Sequence, residues 1–231
     1  MTNQEFSNEF DILYNNVVGN QAPGLDTYEK SVFLTKAQED VIISLYKGNN
    51  PYGTSFEETE ELRRCLNELI KTATLSPIEI GDNFKISKSS AVFELPKEFG
   101  TNDSKVWFII YEAVNFEEST SPCKSGEDIP VIPVTHDEYH RIKANPFKGA
   151  NNRRVLRLDL DNNKVELVTK NTIASYFLKY IEKPTPIILI NLPQGLSIDN
   201  TSNITQCKLN PLLHRAILER AVNLAASVKM Q

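Results

Sequence analysis

An α+β fold is predicted by three observations on the 231-residue sequence. Amphipathic helical spacing dominates its first third, period-two patterning rich in β-branched and aromatic residues takes over at Pro77, and one further amphipathic helix closes the chain. This segregation predicts an N-terminal helical bundle closed by the C-terminal helix, with a central antiparallel β-sheet or small barrel. The regions are drawn at 1–76 (helical), 77–208 (β-rich, with one short helix near 136–144) and 209–231 (the C-terminal helix, packing back on the helical region).

The first helix carries Phe6, Phe10, Leu13 and Val17 on one stripe, with Gly19 placed to end it in a left-handed conformation. A short helix is expected from Asp26 to Leu34. Thr35 with Gln38 has capping-box spacing for the next, which carries Ala37, Val41, Ile42 and Leu45 and closes at Gly48. Ser55 with Glu58 opens a third, carrying Leu62, Leu66, Leu69, Ile70 and Ala73. None of these is long enough to be stable alone, so they must pack on each other or on the last helix.

Residues 84–95, 106–116, 154–160 and 164–169 read as strands. The last two form a hairpin about Asp161-Asn162-Asn163, whose residue types tolerate turn and left-handed geometry, and one face of it, with Leu156, Leu158, Leu160, Val165 and Leu167, is expected to be buried. Residues 117–128 form a polar loop without periodicity. Asn145 to Gly149 stops the helix near 136–144 and turns the chain, with Phe147 as an anchor. An aromatic strand from Ile173 ends at Pro184 and Pro186, which remove ladder donors. For the last helix Asn210 is the cap and Pro211 the first residue. Leu213, Ala216, Ile217, Ala221, Leu224, Ala225 and Val228 make its docking stripe, leaving Arg215, Glu219 and Asn223 on another face.

Hydrophobic residues make up 40% of the chain, enough for a substantial core, and the formal charge of −5 argues against a surface built mainly to grip phosphate backbones. No apolar run approaches the length of a membrane span, and the opening MTNQEFSNEF lacks a signal peptide's basic and apolar regions, so a cytosol-like compartment and no membrane contact are expected. Cys65, Cys123 and Cys207 show no metal or disulfide spacing and read as reduced thiols.

Chemistry is sparse. No phosphate-binding loop, dinucleotide fingerprint or serine elbow occurs, so no cofactor and no catalytic residue are assigned. His136 and His140 have the i, i+4 spacing of a zinc-binding HExxH, but Asp137 stands where the general-base glutamate belongs, no third ligand is evident, and Thr135 with Glu138 has capping-box spacing instead. The acidic run Glu57-Glu58-Thr59-Glu60-Glu61 reads as a solvated helix start. Arg153, Arg154 and Arg157 read as an exposed sheet face, or alternatively as contacts to phosphates or an acidic partner surface. His214 reads as a packing or solvent residue and Trp107 as core.

Three segments in combination are more specific: VTHDEYHRIKANPFKGANNRRVLRLDL, YFLKYIEKPTPIIL and CKLNPLLHRAILERAVNLA. Together they resemble the structural ring proteins of the neck in crAss-like Bacteroides phages. More distantly, the order of helical N-terminus, β middle and returning helix resembles the adaptor or tail tubular A proteins of short-tailed phages. The resemblance is carried by residues 1–20 and 134–228 and leaves 77–130 unmatched. It implies a structural virion protein of the neck or tail, present in host cytoplasm during assembly and forming a closed homo-oligomeric ring of twelve. The ring would connect the portal protein to other neck or tail proteins around the DNA channel, with genomic DNA passing through the lumen without sequence-specific binding. The polar loops 117–128 and 191–208, ordering on assembly, and the face bearing Arg215, Glu219 and Asn223 would then hold subunit contacts. The alternatives are a small metal-dependent hydrolase using His136 and His140, or a monomeric cytosolic adaptor.

Overall fold

A computed structural model describes residues 1–18, 24–48, 60–79, 85–87, 89–98, 104–117, 128–161 and 163–229. The chain forms two compact units. The first comprises residues 1–69 and 184–231, the second residues 70–183.

In the first unit, α1 (Asn3–Val18) and α2 (Thr27–Lys47) both pack against α5 (Pro211–Lys229). The closing helix therefore covers the apolar stripes of the N-terminal helices, as its spacing predicts. On α1 the buried residues are Asn3, Phe6, Phe10 and Tyr14, while Val17 is half exposed. On α5 the buried pairs Leu213–His214, Ile217–Leu218, Ala221–Val222 and Ala225–Ala226 advance along one side, whereas Ala216 and Val228 are exposed. Ala37, Ala221 and Ala225 are fully buried, small enough to let helices approach closely. The Asn210 side chain accepts from the Leu212 amide, and Pro211 opens the helix.

One helix replaces the two expected between Asp26 and Gly48. Asp26 caps α2 in a capping box with Glu29, and Gly48 ends it with φ of 75°. Thr35 is interior and has another use. Ser31, Thr35 and Gln38 form a polar stripe on α2 to which an extended segment is hydrogen-bonded. The Leu189 and Ile187 amides donate to Ser31 Oγ and Thr35 Oγ1 at 3.1 Å each, and Gln38 Nε2 donates to the Thr185 carbonyl at 2.9 Å. Asn3 Nδ2 donates to the Ile188 and Thr205 carbonyls. Helix side chains thus satisfy backbone groups of a segment whose Pro184 and Pro186 keep it out of a sheet.

The third helix is shorter than its spacing suggested. α3 (Glu60–Leu66) passes through a 3₁₀ turn at Asn67–Leu69 into strand β1 (Ile70–Leu75). The apolar positions expected to continue the helix, Ile70 and Ala73, pair instead with Ile181 and Leu178, and β-branched Ile70, Thr72 and Thr74 favour that outcome. The Ser55–Glu58 capping box and Gly19 lie outside the described residues.

The second unit is a seven-stranded sheet built from β1, β2 (Ser90–Glu94), β3 (Val106–Phe116), β4 (Ile129–Pro133), β5 (Val155–Leu160), β6 (Lys164–Val168) and β7 (Ile173–Glu182), in the order β1-β7-β3-β4-β5-β6-β2. Pairing is antiparallel except between β4 and β5. β4 was not among the expected strands, and its segment Ile129–Pro133 holds two prolines. They explain its behaviour: Ile129 and Pro130 pair with β3, then Val131 to Pro133 pair in parallel with β5. Each proline lacks a ladder donor, so the strand changes partner part-way.

The β5–β6 hairpin turns where expected, with Asn163 at φ of 60°. Its burial is two-sided, which corrects the one-face reading. Leu156, Leu158 and Leu160 oppose Val168, Glu166 and Lys164, while Arg157 and Asp159 oppose Leu167 and Val165, so the two apolar sets face opposite ways. Val165 and Leu167 join the main core with Phe93, Val114, Ile173, Tyr176 and Leu178. Leu156, Leu158 and Val168 are covered by Tyr139 of α4 (His136–Ala144). Each face therefore carries one charged residue drawn inside, Arg157 on the first and Glu166 on the second, while Asp159 on the first is exposed and Lys164 on the second is half-buried.

Candidate subunit interface

Arg153, Arg154 and Arg157 do not form one exposed row. Arg157 projects into the unit, its side chain 10% exposed, and Nη1 donates to Glu112 Oε1 at 2.5 Å. The Tyr176 hydroxyl donates to the other oxygen of Glu112 at 2.6 Å. This network joins β5, β3 and β7. Burial alone would lower the Arg157 pKa, but the carboxylates of Glu112 and Asp159 more than offset it and hold the guanidinium charged. Burial first, then the Glu112 charge, push the Tyr176 phenol far above its ordinary range. Arg157 is a fixed structural cation, and its candidacy as a contact residue falls.

Arg153 and Arg154 stay at the surface. They line an open cleft of about 460 Å³ with Asn151, Asn152 and Lys170. The NNRR turn that builds it is closed by Asn151 and Arg154, whose amides each donate to the other's carbonyl, and by the Arg153 amide donating to Asn151 Oδ1. Beside it Phe147 is 85% exposed, so it is not the anchor that the sequence suggested. Its backbone is nevertheless held, the amide donating to Asn145 Oδ1 and the carbonyl accepting from Arg154 Nη1, both at 2.9 Å. Gly149 packs so closely that an added Cβ would lie 3.1 Å from the Asn145 carbonyl oxygen.

On α5, Arg215, Glu219 and Asn223 are all exposed, on the side away from α1 and α2. Residues 191–208 are not a loose arm. Leu192 and Ile198 are buried against Tyr28 and Val32, the Leu192 amide donates to the Ser202 carbonyl, Ile198 and Thr201 exchange both backbone bonds, and Ile188 pairs with Thr205. That segment is folded in the single chain, not awaiting assembly to order it. Of the loop 117–128 only Glu117 and Asp128 are among the described residues.

His136 Nε2 lies 2.7 Å from the Asp159 carbonyl, to which it donates, so this histidine fastens the start of α4 to the end of β5. Glu138 pairs with Arg141 rather than closing a capping box with Thr135, whose side chain caps no backbone amide. Among the described residues no group of three His, Cys, Asp or Glu side chains could hold a metal ion. Cys207 is a free thiol whose Sγ donates to Gln38 Oε1, while Cys123 lies outside the described residues. Trp107 is half-buried and stacks on Phe108 at 4.9 Å, at the margin of the core and not within it.

Among the buried polar residues are Glu166, which the sequence did not single out, and His214, expected as a packing or solvent residue and found packed. Glu166, fully buried on β6, accepts from the Ile86 and Ser87 amides at 3.0 Å and from Ser90 Oγ at 2.6 Å. His214, buried on α5, donates from Nε2 to the Leu209 carbonyl and accepts at Nδ1 from the Met1 amino group. Burial holds this imidazole below the ordinary histidine range. A depressed native pKa means that the unfolded chain binds the extra proton first, so the contribution of His214 is fully present above the unfolded value of about 6.5 and is lost as pH falls toward the native one. Thermal unfolding between pH 7.5 and 5.5 should show wild-type stability falling by at most about 1.4 kcal/mol per pH unit from this group. The His214→Gln variant should lose that part of the slope; an unchanged slope would contradict the assignment.

Among the described residues these side chains serve packing and hydrogen bonding, and similarity to known proteins gives the family. The sequence model of the family described as phage tail ring protein 3/4 matches residues 1–231. Ring protein 3 of Bacteroides phage crAss001 is 45% identical over 232 residues, an alignment covering 100% of this chain and 97% of that protein. Ring protein 4/5 of the same phage is 34% identical over 234 residues, covering 97% of this chain and 92% of that protein. The match spans the whole chain, including residues 77–130, for which the sequence reading found no counterpart, and it overturns the hydrolase alternative built on His136 and His140. The chain belongs to the phage tail ring protein 3/4 family and is a structural ring protein of a crAss-like phage, not an enzyme.

Proposed function

We propose that this chain assembles into a closed ring of twelve copies in the virion neck, between portal and tail, after folding in the host cytoplasm. The observation that carries this reading is the full-length match to proteins named as rings. Ring closure requires a heterologous interface, in which one surface of a subunit meets a different surface of the next. The exposed row Arg215, Glu219 and Asn223 on α5 and the cleft about Arg153 and Arg154 are the surfaces proposed to meet neighbouring subunits. Genomic DNA would pass through the lumen without sequence-specific contact, which a chain of net charge −5 favours because its carboxylates outnumber the cations that could hold phosphates. Two relatives in one phage further support a stack of related rings, of which this chain supplies one.

Mass photometry of the purified chain tests the reading. Twelve copies of a 26.1 kDa chain should give a species near 313 kDa (12 × 26.1), alone or on adding the adjoining ring protein. A species that remains at the monomer mass under both conditions would favour a monomeric adaptor and refute the ring.

A further inference from the structure

The cleft formed by Asn151, Asn152, Arg153, Arg154 and Lys170, with Phe147 beside it, has features that fold stability does not require. Among the described residues no carboxylate forms an ion pair with Arg153, Arg154 or Lys170. Yet the chain holds more acidic than basic residues, 30 against 25, and could have neutralised them. The site is also stiff. Backbone bonds within the turn and the Asn151 side chain fix the arginines' main chain, and Asn171 donates to Asn152 Oδ1. Phe147 presents its ring to solvent from a backbone pinned at both amide and carbonyl. An exposed aromatic on a pinned backbone, next to cations with no ion-pair partner among the described residues, has the composition of an interface hot spot, because little backbone entropy remains to be lost on docking.

We propose that this cleft is the receiving half of the contact between ring neighbours and binds carboxylates of a second copy of the chain, with Phe147 as the apolar anchor. The proposal rests on the ring reading above and adds which surface does the binding and what chemistry it takes. Charge complementarity selects the occupant. Copies of this chain present surfaces with an excess of carboxylates, and three clustered cations in a chain of formal charge −5 are locally opposite to the rest of it. A DNA backbone would use the cations but leave the Phe147 ring uncovered, since phosphate contacts need no apolar anchor. Planar guanidinium groups also suit bidentate carboxylate recognition.

The test uses the purified full-length chain and two variants at exposed positions, Arg153→Glu with Lys170→Glu, and Phe147→Ser, with ring population read by mass photometry over a concentration series at low and high salt. The charge reversal should raise the concentration at which rings form at least tenfold and abolish its salt dependence. Phe147→Ser should weaken rings tenfold while keeping the salt dependence, and both variants should keep the wild-type thermal midpoint. Wild-type rings with both variants assembling normally would overturn the proposal and leave the ring reading standing. Variants that assemble normally but lose binding to a short duplex DNA would assign the cleft to nucleic acid instead. A wild-type chain that forms no ring under any condition would remove both.

Discussion

Glu112→Ala should lower the unfolding free energy by up to about 3–5 kcal/mol, because it leaves the Arg157 guanidinium, its side chain only 10% exposed, with the solvent-exposed Asp159 as its remaining carboxylate partner. It also removes the acceptor of the Tyr176 hydroxyl, which lies in the main core. The position has leverage for a reason written in β4. Only Ile129 and Pro130 pair with β3 before the strand turns to β5, so backbone bonding between β3 and β5 through β4 is short. The Glu112–Arg157 pair spans that weak seam from side chain to side chain. Urea unfolding of Glu112→Ala against wild type at a common m-value measures the loss. The triple replacement Glu112→Leu, Arg157→Met and Tyr176→Phe should recover most of it, since an apolar set of similar volume has no charge to desolvate. A single variant as stable as wild type would show that the pair contributes nothing.

The second large effect is expected at Glu166. Replacing it with alanine leaves the Ile86 and Ser87 amides without their acceptor, while the Ser90 hydroxyl keeps the Ser87 carbonyl at 2.6 Å. At roughly 1–3 kcal/mol for each of these two stranded amides, the loss should reach at least about 2 kcal/mol. Glu166→Gln, which keeps one oxygen acceptor but turns an amide group toward N–H donors, should fall between alanine and wild type. Amide hydrogen exchange gives a second readout, with faster exchange at Ile86 and Ser87 in Glu166→Ala than in wild type. Unchanged exchange there would mean that this segment is held by something else.

Much of the fold was legible wherever one local pattern had one structural answer. Helices α1 and α5, the Gly48 stop and strands β3, β5, β6 and β7 all appear at their expected places. The failures share a cause, which is that the deciding partner is distant in sequence. Leu66, Leu69, Ile70 and Ala73 fit a helical stripe, and only pairing with β7, over a hundred residues away, makes Ile70–Leu75 a strand. Arg157 looks like a solvated arginine on a hairpin until Glu112 is placed beside it. The two-sided burial of that hairpin was available in principle. A three-residue turn that pairs Leu160 with Lys164 sets even positions against even ones, so Leu156 and Leu158 must face away from Val165 and Leu167. The exposed row on α5 follows from the same spacing that buries its stripe. Phe147 misled because an aromatic residue after a helix is more often packed than presented.

The most direct test of the central claim is electron cryomicroscopy of purified virions, with the density of this chain located by fitting its two units separately. A closed, rotationally symmetric ring in the neck is expected, with the Phe147 cleft of each subunit against its neighbour. A virion in which this chain occurs as isolated copies, or in an open helical array, would contradict it.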